Sequence, residues 1–125
     1  EFDDAETSKQ WFIGDATITK VIIPEGVEKI SAYAFANLTA LTEIVLPSTL
    51  NSIEYGAFYG CTSLTSITIP DGITTIGDGA FSGCNSLTSI AFPNSLTTIG
   101  FNAFNCCDSL TSIIIPELKK SKNNR

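Results

Sequence analysis

The sequence LTSITIPDGITTIGDGAFSGC, residues 64–84, decides the fold, because its pattern returns at a fixed interval along the chain. Proline marks the interval most plainly: its five copies are Pro24, Pro47, Pro70, Pro93 and Pro116. An Ala-Phe pair keeps the same spacing, and its phenylalanines are Phe35, Phe58, Phe81 and Phe104. Self-similarity at a fixed period is the signature of a repeat protein. Each copy is therefore predicted to be one coil of a solenoid.

The quoted unit divides into four local structures. Residues 66–69 alternate polar and apolar side chains, the period of a half-buried strand, and Pro70 ends that strand because it has no N–H to donate. Residues 69–72 are predicted to form a type I turn, with proline second and glycine fourth. A second short extended piece is expected at residues 73–76, and a single helical turn at residues 78–83.

Superposed copies place apolar residues in columns. One coil cannot bury such columns by itself, so stacked neighbours must cover them. Two of the predicted inward columns lie on the first strand. The first holds Val21, Ile44, Ile67, Ile90 and Ile113, and the second holds Ile23, Leu46, Ile69, Phe92 and Ile115.

A further column favours a left-handed backbone. Asn37, Gly60 and Gly83 share it, and these residue types suit the exit from a tight turn. Cys106 follows in the same column. Either Cys106 takes a conformation that costs about 1 kcal/mol for a residue with a Cβ, or the last turn is distorted.

The unit resembles the BspA-like, or Treponema pallidum type, leucine-rich repeat. The matching positions in residues 64–84 run from Leu64 through Ile69-Pro70 and Ile76-Gly77 to Ala80-Phe81 and Cys84. The copies differ from the pattern at Glu54, Phe92 and Asn102. The resemblance implies a right-handed, mostly β solenoid with a parallel sheet on its concave face. It also implies a surface or secreted protein of a host-associated microbe, acting in adhesion to host or neighbouring-cell proteins.

The repeat also predicts how the chain is organised. Residues 12–116 are expected to form four full repeats after a degenerate N-terminal one. Residues 1–11 are expected to extend or cap the N-terminal end, where Trp11 stands in place of the alanine of later copies. Residues 117–125 form a basic tail with one acid and four bases. Beyond Pro116 the pattern fails, so either further coils follow or this end meets a partner.

Composition excludes several classes of function. The net charge is −6 and histidine is absent, so the chain lacks both a basic surface for nucleic acid and the usual base for catalysis near neutral pH. No apolar run is long enough to span a membrane. The sequence indicates no enzyme, no cofactor and no metal site.

Three of the four cysteines, Cys61, Cys84 and Cys107, share a column with Leu38. Leucine at that position indicates an apolar site, which a buried free thiol suits. A disulfide involving Cys106 or Cys107 is the alternative, and a metal site is the least favoured, since no CxxC pair and no histidine accompany the cysteines.

The remaining candidate for function is the outward side of the first strand. We predict a protein-binding face there, against the plainer interpretation of a solvated sheet surface. Its two rows are Lys20, Glu43, Ser66, Ser89 and Ser112, and Ile22, Val45, Thr68, Ala91 and Ile114. A second patch of aromatic residues is predicted elsewhere, from Tyr33, Tyr55, Tyr59 and Phe101. The rival function is a structural spacer or self-assembly segment that stacks through its C-terminal end.

Overall fold

The computed structural model describes residues 15–114, which form four stacked coils and the first strand of a fifth. Each coil contributes a three-residue strand and then a two-residue strand. The three-residue strands are β1 (Lys20–Ile22), β3 (Glu43–Val45), β5 (Ser66–Thr68), β7 (Ser89–Ala91) and β9 (Ser112–Ile114). The two-residue strands are β2 (Lys29–Ile30), β4 (Ser52–Ile53), β6 (Thr75–Ile76) and β8 (Thr98–Ile99). The predicted cap at residues 1–11 and tail at residues 117–125 lie outside the described residues.

Every strand pair is parallel and offset by one repeat. Val21 lies opposite Ile44, for example, and Ile67 lies opposite Ile90. The two-residue strands form one continuous sheet in the order β2-β4-β6-β8. The three-residue strands form two separate sheets, β1-β3 and β5-β7-β9. The structure thus confirms a parallel β-solenoid with a 23-residue repeat.

Burial follows the predicted alternation. In β1, β3 and β5 the central residue is buried and its two neighbours are exposed. The phenylalanine column stacks face to face: ring centroids are 5.7, 5.3 and 5.4 Å apart from Phe35 through Phe58 and Phe81 to Phe104. Phe35, Phe58 and Phe81 are completely buried. These columns form one hydrophobic core that runs along the solenoid axis.

The segments predicted as single helical turns are instead successions of tight turns, and the described residues contain no helix. In residues 77–84 the amides of Ala80, Ser82 and Cys84 each bond to the carbonyl three residues earlier. The helix cannot continue because Gly79 and Gly83 both have positive φ, at 64° and 80°. The chain leaves the right-handed helical region twice within each such segment.

Both left-handed positions repeat through all four coils. One column is the predicted one, and it holds Asn37, Gly60, Gly83 and Cys106. Cys106 has a φ of 61°, so it takes the left-handed conformation, which was the first of the two alternatives. The other column was not predicted, and it holds Tyr33, Gly56, Gly79 and Asn102.

The turn after each proline begins one residue later than predicted. The amide of Ile73 bonds to the carbonyl of Pro70 at 3.4 Å, so proline is the first turn residue and not the second. Gly72, at φ 105°, then occupies the third position, where a type II turn requires a positive φ. Its amide is satisfied by the next coil, donating to the Ser95 hydroxyl at 2.9 Å. The Gly72 amide, which the predicted turn would have bonded to the Ile69 carbonyl, is thus bonded to the next coil.

We expect Phe81→Ala to lower the free energy of unfolding by about 3–5 kcal/mol, because it leaves a cavity between Phe58 and Phe104. Phe101→Ala is the matched control, since Phe101 is 78% exposed and its loss should cost no more than about 0.5 kcal/mol. Urea unfolding followed by circular dichroism measures both. Equal losses in the two variants would contradict a core built on the phenylalanine column.

Candidate functional site

The predicted protein-binding rows lie together on one surface, which we call the sheet face. It consists of the outward residues of the three-residue strands: Lys20, Ile22, Glu43, Val45, Ser66, Thr68, Ser89, Ala91 and Ser112. Parallel pairing in register aligns each row across neighbouring coils, Lys20 with Glu43 and Thr68 with Ala91 among them. Ile22 is 59% exposed and Val45 is 42% exposed, although both are large aliphatic residues. Ile114, the last residue of the predicted rows, pairs through its backbone with Ala91. Its side chain lies outside the described part of the structure.

At one edge of the sheet face, Lys20 and Glu43 form an ion pair with Nζ and Oε1 3.8 Å apart. Both side chains are more than half exposed, so the pair adds little stability. The central part of the face, from Val45 to Ala91, has no charged side chain. That central part consists of apolar, serine and threonine side chains.

The strand ladder of the sheet face is interrupted between β3 and β5. The amide of Thr42 bonds to the Thr19 carbonyl at 2.9 Å, and the equivalent bonds from Thr88 to Thr65 and from Thr111 to Thr88 are 3.0 and 3.1 Å. The corresponding bond from Thr65 to Thr42 is missing from the described backbone, and β3 and β5 belong to different sheets. The solenoid remains closed on its other sides: Gly77 bonds to the Ile53 carbonyl, and Phe58 bonds to the Ala80 carbonyl.

A groove opens along this interruption, with a volume of about 420 Å³. Its sides are β3 and β5, so that Val45 and Thr68 of the sheet face lie at its mouth. Ile44 and Ile67 lie below them as part of the core. The groove therefore combines apolar contact surface with two strand edges that do not pair with each other.

A second hollow, of about 290 Å³, lies on the turn segments. It contains all four aromatic residues predicted to form a patch: Tyr33, Tyr55, Tyr59 and Phe101. Tyr33 meets Tyr55 edge to face with ring centroids 5.2 Å apart, and meets Tyr59 in the same way at 6.5 Å. A hydrogen bond with Tyr55 raises the pKa of Tyr33 above its ordinary value of 10.0.

The cysteine column is part of the core. All four cysteines are free, and Cys61 and Cys84 are completely buried. Their thiols donate to the carbonyls of Phe35 and Phe58 at 3.2 and 3.3 Å. Burial raises the pKa of Cys61 to about 12 and raises the pKa of Cys84 as well. Thiols so protected from ionisation are poor nucleophiles and poor metal ligands.

Other chemistry has little support in residues 15–114. They hold no cluster of three or more histidine, cysteine, aspartate or glutamate residues that could bind a metal ion. Within the same range, no helix has the length and apolar character needed to cross a membrane.

Comparison with known proteins identifies the family. Residues 6–124 match the family model described as a BspA type leucine rich repeat region, in six copies. A leucine rich cell surface protein from Faecalibacterium prausnitzii shares 38% identity with a TM-score of 0.82, the match covering 88% of this chain and 30% of that one. A leucine rich repeat protein from T. pallidum also shares 38% identity and a TM-score of 0.82, over 84% of this chain and 49% of that one.

The Pneumococcal vaccine antigen PcpA is more distant, at 32% identity and a TM-score of 0.70, with 81% of this chain and 25% of that one covered. No curated protein sequence matches this chain. The chain belongs to the BspA type leucine-rich repeat family, as its repeat pattern predicted. It spans less than half the length of each of these three structures.

We expect the stability of the fold to decline above pH 9 because of the buried thiols. An unfolded thiol ionises near pH 9.0, whereas Cys61 keeps its proton to about pH 12. Over that range the folded state binds more protons than the unfolded state, so raising the pH favours unfolding. The slope approaches about 1.4 kcal/mol per pH unit for each buried thiol.

Urea unfolding at a series of pH values measures this slope. The double variant Cys61→Ala/Cys84→Ala is the control: it should be less stable at neutral pH, and its stability should decline less steeply between pH 9 and 12. An identical decline in both proteins would show that the two thiols do not ionise on unfolding as described.

Proposed function

We propose that this chain is a protein-binding module and that its sheet face holds an extended segment of the partner in the groove between β3 and β5. One observation carries the proposal: an exposed aliphatic side chain, Val45, and an interrupted strand ladder occur at the same place. Large exposed aliphatic residues mark interaction sites when they border a groove.

The backbone of the groove suits an extended segment better than a helix or a folded domain. The facing edges of β3 and β5 carry N–H and C=O groups that do not pair with each other, and an extended segment lying over the groove can bond to them regardless of its sequence. Specificity then depends on the side chains beside the groove. Here those are Val45 and Thr68 at the mouth and Glu43 at one end, so the segment best accommodated has alternate aliphatic and hydroxyl or basic side chains.

The wider role we propose is adhesion, in a surface or secreted protein whose leucine-rich repeat domain includes residues 12–116. Leucine-rich repeat domains generally bind proteins, and one similar structure is described as a cell surface protein. A host matrix protein or a protein of a neighbouring cell is the partner class that fits this role. Low charge on the central sheet face supports contact with protein rather than with nucleic acid.

A second function, self-assembly through the C-terminal coil, is supported by a different observation. Ile99 and Ile113 stand in inward columns that are buried in earlier coils, yet they are 45% and 49% exposed. A further coil stacked on β8 and β9 would cover them. Another copy of the chain could supply that coil in the manner of an open strand edge.

We expect Val45→Lys to weaken binding to a matrix-protein partner by about tenfold or more, because a charged side chain at the mouth of the groove disfavours an apolar segment. Binding is measured by biolayer interferometry against immobilised matrix proteins. Asn51→Lys is the matched control, since Asn51 is exposed in the same coil but lies beside β4, away from the groove. It should bind as the unmodified protein does.

Two outcomes would contradict binding at the sheet face. One is equal affinity of Val45→Lys and the unmodified protein for a partner. The other is equal loss in Val45→Lys and Asn51→Lys, which would show an effect of charge alone. Melting temperatures of both variants within a few degrees of the parent would show that the fold is retained.

For self-assembly, we expect the sedimentation coefficient to increase with protein concentration and Ile113→Lys to abolish that increase. Ile22→Lys on the sheet face serves as the control and should leave the increase unchanged. A protein that sediments as a monomer at all concentrations would exclude assembly through the last coil, and would leave binding at the sheet face unaffected.

A further inference from the structure

The hollow on the turn segments exists because of the left-handed column. Tyr33, Gly56, Gly79 and Asn102 occupy equivalent positions in four successive coils. The two glycines in the middle have no side chains, whereas Tyr33 and Asn102 rise on either side of them. A Cβ on Gly79 would have a single heavy atom within 4 Å, at 4.0 Å in Ser82, so the space above it is open. Gly79 therefore forms the floor of the hollow.

Tyr33 occupies a backbone conformation that does not suit it. Its φ is 59°, and a bulky side chain there is a genuine outlier that is usually retained for a specific reason. The ring lies over Gly56, where a Cβ would be 2.5 Å from Tyr33 Cε1. The left-handed backbone thus directs an aromatic ring over the hollow, against Tyr55 and Tyr59. This arrangement brings three aromatic rings together at one end.

The other end of the hollow is polar and negatively charged. Asp78 lies there beside Phe101, together with Asn102, Asn105 and Ser82. One carboxylate oxygen of Asp78 accepts the backbone N–H of Phe101 at 2.8 Å, which fixes the side chain in place. Oxygen acceptors thus line the polar end of the hollow.

No positive charge balances Asp78 in the described part of the chain. Residues 15–114 contain eight acidic and two basic side chains. The two bases are Lys20, which pairs with Glu43, and Lys29 on β2, and neither lines the hollow. The Asp78 carboxylate takes part in no ion pair among these residues. The hollow therefore has the opposite charge to a cationic ligand.

We propose that the hollow binds the guanidinium group of an arginine side chain from a protein partner. Aromatic faces attract a cation, and arginine also stacks flat on them. A guanidinium carries five N–H donors, which match the acceptors of Asp78 and of the amides and hydroxyl beside it. A quaternary ammonium has no donor and would leave those acceptors unpaired. A neutral ligand would leave the carboxylate without a counter-charge.

This site is separate from the groove on the sheet face, so either can fail without the other. The hollow draws on turn residues of all four coils, and the groove draws on strands β3 and β5. A partner bound in the groove does not need an arginine, and a short arginine peptide does not need the groove.

The test uses three blocked tripeptides, glycine-X-glycine, in which X is arginine, citrulline or lysine. Citrulline has the shape of arginine without its charge. Titration of the ¹⁵N-labelled protein is followed by NMR at the amides of Gly79, Phe101 and Asn102. We expect the arginine peptide to bind about tenfold or more tightly than the citrulline peptide, a difference of about 1.4 kcal/mol. It should bind more tightly than the lysine peptide too, and more weakly at high salt.

Two variants and one control locate the binding. Asp78→Asn removes the charge but keeps an oxygen to accept the Phe101 N–H, and it should weaken arginine binding about fivefold or more. Asp71→Asn makes the same change at an exposed residue of the turn after Pro70 and should have no effect. Gly79→Asn should fill the hollow and so weaken arginine binding. It should not distort the backbone, because Asn102 already occupies the same column with φ 59°.

Equal binding of the arginine and citrulline peptides would overturn the proposal, as would equal binding by Asp78→Asn and Asp71→Asn. Equal binding of arginine and lysine would overturn the assignment to a guanidinium. Shifts confined to the sheet face, at Val45 and Thr68, would place arginine in the groove instead. Melting temperatures close to that of the parent protein confirm that each variant is folded.

Discussion

The structure depends on the in-register hydrogen bonding of each coil to the next. Within residues 15–114 no coil contains a strand pair of its own: its three-residue and two-residue strands bond only to their equivalents one repeat away. A coil also cannot bury its own phenylalanine, which needs a ring above and below it. The constant repeat length is therefore maintained by backbone pairing and side-chain stacking together. An inserted residue would shift both at once.

This dependence makes the interruption between β3 and β5 informative. Loss of pairing at one side of a coil would separate the solenoid if that side were its sole connection. Here the two-residue strands and the turn segments continue to bond across the same boundary, through Gly77 to Ile53 and Gly60 to Ser82 among others. The phenylalanine column also continues across it, with Phe58 and Phe81 stacked at 5.3 Å. The sheet face can thus open locally while the core remains closed.

Much of this architecture could be predicted from the sequence, because repetition turns a weak local pattern into a strong one. The inward columns, the two strands of each coil and the left-handed position of Asn37, Gly60 and Gly83 all follow from residue types at fixed intervals. For Cys106 the sequence left two alternatives. The turn after Pro70 was placed one residue too early, because its hydrogen bond from Gly72 goes to Ser95 in another coil. A local turn pattern contains no information about that partner.

The two candidate sites were predictable to different degrees. The sheet face follows from strand alternation, so its residues could be named. Its groove could not, because Thr42 and Thr65 are identical residues in the same column and nothing in them indicates a missing bond. The aromatic patch could be named as a set of exposed rings. The left-handed column beneath it was missed because its first residue, Tyr33, is not a residue type that indicates a positive φ, although glycine and asparagine occupy the other three positions.

The two surfaces also differ in how freely their chemistry can change. Side chains of the sheet face extend from strands whose alternate residues are packed in the core. A bulky replacement on this face must therefore fit beside its neighbours in the next coil. The turn segments restrict side chains less at the positions that point to solvent. Tyr55, Asp78 and Phe101 occupy one such column with three unlike side chains, while Ala57, Ala80 and Ala103 beneath them are alike and buried. A constant core of this kind permits a varied outer column, and chemical variety is what selective recognition of a partner requires.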